Sequence, residues 1–150
     1  MNSFPVLGWE RVFFERRYQM SIAFIWNEKY DVGNEEINQQ HQYLFEIGNQ
    51  IQNAELTEAG KYVMKMFKYT KDHFSKEEAH MKALGFPELE EHKELHEKLI
   101  TKLSEVSAGF IKNQDEFTRF KTFVYEWLTK HILYEDKKYF DYSRKNEKKS

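Results

Sequence analysis

Residues 66–87 read MFKYTKDHFSKEEAHMKALGFP, and the fold follows from how this stretch is patterned and stopped. Met66, Tyr69, His73, Glu77, His80 and Leu84 recur at steps of 3, 4, 4, 3 and 4, the spacing of one face of an α-helix. Leu84-Gly85-Phe86-Pro87 then ends the helix. Glycine suits the left-handed position after the last turn, and proline cannot continue it. The face carries histidines and a glutamate where only apolar groups are expected. Each such group buried without a partner costs about 1–3 kcal/mol.

The same pattern recurs on both sides. Upstream, Asn34 is placed to cap a helix whose first turn holds Glu35 and Glu36 and whose stripe reads Ile37, His41, Leu44, Gly48, Ile51. Thr57 is the expected cap of the second helix. Downstream, the third stripe reads Leu89, His92, His96, Leu99, Leu103, Val106, and residues 107–115 form a connection. The fourth reads Phe117, Phe120, Val124, Trp127, His131, with Leu128 beside it. Four stripes joined by short links predict an all-α fold, an up-down-up-down antiparallel four-helix bundle, preceded by an N-terminal extended segment. The predicted organisation is an extension over residues 1–19, a bundle over 20–142 and a polar tail over 143–150.

Composition agrees. A chain of 150 residues suggests one domain, and 6 Gly with 2 Pro favour long helices. Cysteine is absent, so a metal site must use histidine and carboxylate. The net charge of -2, with both signs interspersed, argues against a nucleic-acid partner. No apolar run approaches a membrane span, and charges interrupt the early apolar runs, so no membrane association and a cytoplasmic location are expected.

His41, His73, His92, His96 and His131 lie on inward stripes drawn from all four helices. One such histidine is ordinarily a hydrogen-bonded core residue. Five in one small core would each need a buried partner, whereas two divalent cations satisfy all of them together. His73 with Glu77, and His92 with His96, stand four apart and share a face. Asp136 follows His131 by five residues, about 140° around a straight helix. It joins the same site only if the helix ends or is distorted there. His80 lies roughly 10.5 Å along the axis from His73 and is too far for the same ion. Imidazole and carboxylate suit iron, without excluding zinc, manganese or copper. If two carboxylates bridge two six-coordinate ions alongside a solvent oxygen, one position stays open for a small ligand. A site rich in neutral imidazole favours lower oxidation states, which suits reversible dioxygen binding.

At these residues the chain resembles the hemerythrin family. The resemblance runs from Trp26 to about Tyr139. It is carried by Trp26-Asn27-Glu28-Lys29-Tyr30, Ile37-Asn38-Gln39-Gln40-His41, His73-Phe74-Ser75-Lys76-Glu77-Glu78, His92-Lys93-Glu94-Leu95-His96 and Trp127-Leu128-Thr129-Lys130-His131-Ile132, closing on Asp136. The resemblance implies two non-haem irons with an oxo or hydroxo bridge. His92, His96 and His131 would bind one iron and His41 and His73 the other. Glu77 and Asp136 would bridge them. Leu44, Phe74, Trp127, Leu128 and Ile132 resemble the apolar residues that close the family's oxygen pocket. Asn38 departs from the pattern, since the family usually has an acidic residue there. The leading expectation is a non-enzymatic dioxygen carrier, store or delivery protein. The alternatives are a sensor acting through a separate protein partner, or a di-iron enzyme acting on peroxide or nitric oxide.

Overall fold

In the computed structural model, which describes residues 23–147, four helical rods follow one another. They are α1 (Glu35–Asn53), α2 (Ala59–Leu84), α3 (Leu89–Ser107) and α4 (Gln114–Lys130). The last rod continues through a π-helical turn, His131–Asp136, into α5 (Lys137–Glu147). No strand occurs among the described residues. Short links between the rods force antiparallel neighbours, and the architecture is the all-α four-helix bundle that the stripes predict. The predicted N-terminal segment, residues 1–19, lies outside the described residues.

The helix ends follow local chemistry. Asn34 caps α1 by accepting from the N–H of Ile37 at 3.1 Å. Gly85 ends α2 at φ 69, ψ 35, a left-handed conformation that glycine adopts without penalty. Asn113 caps α4 by accepting from the N–H of Glu116, and the Glu116 carboxylate reaches back to accept from the N–H of Lys112, before the cap. Thr57 does not cap α2. It sits in a 3₁₀ turn, Leu56–Glu58, that winds directly into the helix, and no side-chain bond closes that end. The C-terminal rod also runs past residue 142. Ser143 is buried, and the Arg144 guanidinium donates to the Val32 carbonyl and to Asp141.

Packing places the polar residues in a layer between two apolar clusters. The larger cluster includes Leu44, Ile51, Val63, Met66, Leu103 and Val124. The smaller holds Val32, Met81, Phe86, Tyr139 and Phe140. Along α2 the chain passes from the large cluster through His73 and Glu77 to Met81; along α3 it returns through His92 and His96 to Leu99. Burying each large apolar side chain contributes about 1.5–3 kcal/mol, which fixes the rods on both sides of the polar layer. Gly48 belongs to the α1 stripe because the Phe24 ring lies over it. A Cβ there would stand 2.4 Å from that ring. Asn49 straps the incoming chain, accepting from the Phe24 N–H at 2.7 Å and donating to its carbonyl at 2.9 Å.

Candidate metal centre

Each rod contributes to the polar layer. His41 comes from α1, His73 and Glu77 from α2, His92 and His96 from α3, and His131 with Asp136 from the π turn. All seven side chains are buried. The π turn resolves the five-residue offset. Its backbone bonds reach five residues back, as Lys137 N–H to Ile132 O shows, so side chains five apart align. Asp136 Oδ1 thereby comes within 3.1 Å of His131 Nε2.

The donor atoms form two overlapping groups. Glu77, His92, His96, His131 and Asp136 make one, with donor atoms all within 4.8 Å of one another. His41, His73 and Glu77 make the other. Each carboxylate divides its oxygens between them. Glu77 Oε1 lies 3.1 Å from both His92 Nε2 and His96 Nε2, while Oε2 faces His73 Nε2 at 3.9 Å. Asp136 Oδ1 lies 3.2 Å from His92 Nε2, while Oδ2 lies 3.2 Å from His41 Nε2.

These contacts do not saturate the atoms. His41 Nε2, His73 Nε2, Glu77 Oε2 and Asp136 Oδ1 are buried without an aligned hydrogen-bond partner. Atoms crowded at such distances yet misaligned for hydrogen bonds fit a cation between them, and nitrogen with carboxylate oxygen fits iron.

Charge is arranged to match. Burial and the Asp136 carboxylate both push Glu77 up, but hydrogen bonds from His92 and His96 outweigh them and hold it at about 2. Burial also pushes Asp136 up, and His131, His41 and His92 pull it well below the usual carboxylate range. Both carboxylates are therefore ionised. Burial lowers His73. Without a metal, His92 is raised to about 9 against its burial by the Asp136 and Glu77 carboxylates beside it, so a bound cation would displace that proton.

The outward ring nitrogens show two residues whose roles the spacing did not reveal. His73 Nδ1 meets Gln40 Oε1 at 2.6 Å, and His96 Nδ1 meets Glu78 Oε2 at 2.7 Å. Such partners fix the tautomer and orientation of a ligating imidazole. Both flank predicted ligands in sequence. An inward histidine needing an acceptor at its far nitrogen was the available signal. Asn38 faces elsewhere: it accepts from the Val32 N–H and donates to Asp31, clamping the turn before α1.

The five expected pocket residues surround this layer. Leu44, Leu128 and Ile132 are buried in the main core. Phe74 stacks on His96 at 3.7 Å between ring centres, and Trp127 stacks on His131 at 4.4 Å. Trp127 is half-buried and borders an outer groove of about 300 Å³ with Leu95 and Phe123. His80 joins neither donor group. It is exposed and bonded to Tyr139.

Known proteins resemble this chain in sequence. The family model described as the hemerythrin HHE cation-binding domain matches residues 32–143. A protein named bacteriohemerythrin from Clostridium acetobutylicum is 32% identical over 130 residues, covering 79% of this chain and 99% of its own. A bacteriohemerythrin from Stenotrophomonas maltophilia is 29% identical, covering 78% of this chain and 79% of its own. A myohemerythrin from Theromyzon tessulatum is 25% identical, covering 81% and 95%.

Proposed function

The chain belongs to the hemerythrin family, and we propose that its buried cluster holds two non-haem irons and binds dioxygen reversibly, as a carrier, store or delivery protein rather than an enzyme. The observation that carries this reading is the division of Glu77 and Asp136 between the two histidine groups. Carboxylates with one oxygen toward each group are disposed to bridge a metal pair. In this reading His92, His96 and His131 hold one iron and His41 and His73 the other. The smaller set leaves the open position.

The irons would supply the electrons by which dioxygen is held. The protein's own part is positional and dielectric. Gln40 and Glu78 hold the His73 and His96 rings in register. Leu44, Phe74, Trp127, Leu128 and Ile132 exclude water and its protons, which favours release of dioxygen unchanged. No helix among the described residues is long and apolar enough to cross a membrane, and a cytoplasmic location is part of the proposal.

The test is optical. The purified protein is reduced without air, exposed to dioxygen and then purged, through several cycles. Visible charge-transfer bands that appear and vanish each time support the proposal. Bands that form once and never reverse contradict it.

A further inference from the structure

His80 is the histidine that the proposed centre does not use, and Tyr139 heads the fully buried side chains by volume. The two meet. With His80 as its Nε2–H tautomer, the Tyr139 hydroxyl donates to His80 Nδ1. The rings stand edge-on, 5.8 Å apart. Tyr139 follows Asp136 by three residues and His80 follows Glu77 by three, so the pair sits about one helical turn below both candidate bridging carboxylates. Phe86 connects the two levels, 5.1 Å from the Tyr139 ring and 6.4 Å from that of His92.

Chemistry separates this tyrosine from others. A phenol that loses an electron becomes a strong acid, so its oxidation is easy only where a base accepts the proton at once. Imidazole is such a base near neutral pH. The hydroxyl of Tyr142, by contrast, bonds the Gly85 carbonyl, which is not. Tyr139 is shielded among Val32, Met81, Phe86 and Phe140, while His80 is exposed and can pass a proton to water.

We propose that Tyr139 and His80 form a proton-coupled electron relay that serves the metal centre when hydrogen peroxide reaches it. This rests on the reading that the centre holds iron. Reduction of hydrogen peroxide to two waters takes two electrons and two protons. When one ferrous ion remains, one electron is drawn from it and the other from Tyr139, and the two protons come from solvent. The Tyr139 hydroxyl proton moves to His80, leaving a neutral phenoxyl radical and an imidazolium. A one-electron reductant from solution, a thiol or ascorbate, then restores the phenol as His80 returns the proton.

The experiment treats partly reduced, iron-loaded protein with hydrogen peroxide and freezes it for electron paramagnetic resonance. A parallel sample is made with ring-deuterated tyrosine, which narrows the resonance of a tyrosyl radical. Wild type is expected to give a tyrosyl signal that the label narrows. Tyr139→Phe, which keeps the ring in the core, is expected to lose that signal. His80→Ala is expected to lose it too, and imidazole added to the solution to restore it. A purely structural clamp would not respond to imidazole. Iron content and dioxygen cycling are measured on the same samples. Two irons and normal cycling, with the same radical in Tyr139→Phe as in wild type, would overturn the relay alone. A protein that takes up no iron would overturn both readings.

Discussion

Removal of the metal is expected to cost this protein much of its stability. Four atoms set the scale: His41 Nε2, His73 Nε2, Glu77 Oε2 and Asp136 Oδ1 are buried with no aligned partner in the protein. A buried polar atom left unsatisfied costs about 1–3 kcal/mol, so the four together cost about 4–12 kcal/mol. A domain of this kind is stable by only about 5–15 kcal/mol in all. Relaxation and water entry reduce the penalty toward its lower end. At roughly 2–4 °C per kcal/mol for a chain of this size, 4 kcal/mol lowers the melting temperature by about 8–16 °C. The loss is global, because the seven donors come from every rod. The assay compares thermal melts by far-ultraviolet circular dichroism before and after reductive chelation. A metal-free protein melting within about 2 °C of the loaded one would show that the bundle satisfies these atoms unaided, refuting the reasoning.

The remaining predictions are more local. His96→Ala and Glu77→Ala should lose metal and melt lower, whereas His80→Ala should keep both irons; metal analysis of the three variants decides, and equal iron loss in His80→Ala would erase the distinction between ligand and neighbour. Leu128→Asn should speed oxidation of the irons by admitting water; because Leu128 is fully buried, a stability cost of about 2–5 kcal/mol is expected as well, so Leu128→Ala is the control for cavity alone. Unchanged autoxidation in the asparagine variant would remove Leu128 from the pocket. Lys121 is buried and its ammonium is lowered by that burial. Since the folded state then binds its proton less readily than the unfolded state, the penalty is absent well above the unfolded pKa and grows as pH falls through the range just below it. Lys121→Met removes this penalty but also the ammonium's hydrogen bond to the Ala54 carbonyl and its seat over the Phe117 ring, so the expected outcome is a melting-temperature difference that shifts in favour of wild type as pH rises into alkali; a difference independent of pH would contradict this. A chain beginning at Met20 should load iron and cycle dioxygen normally; loss of iron in it would move the domain boundary toward residue 1.

How far the sequence reaches can be traced residue by residue. The stripes through His41, His73, His96 and His131 were legible because helical spacing dictates which residues share a face, and burial follows from that. The stop at Gly85 and the cap at Asn34 were legible because their backbone needs are specific to residue type. Asp136 was not secure on spacing. A π turn inserts a residue into the backbone path and carries no compositional mark; the resemblance implied Asp136 as a ligand, and the structure supplies the physical reason that it faces the same way as His131. Gln40 and Glu78 were hidden for another reason: spacing reports which face a side chain takes, but not which atom it reaches across the bundle. Thr57 misled because a good cap residue is useless where a 3₁₀ turn runs into the helix.

The central claim is a dinuclear iron centre bridged by Glu77 and Asp136. The most direct measurement is the iron content per chain of protein made in iron-replete cells, with Mössbauer spectra of the reduced form. The account predicts two irons per chain in two unequal ferrous environments, one with three histidines and one with two. A single iron per chain, or zinc predominating under those conditions, would contradict it.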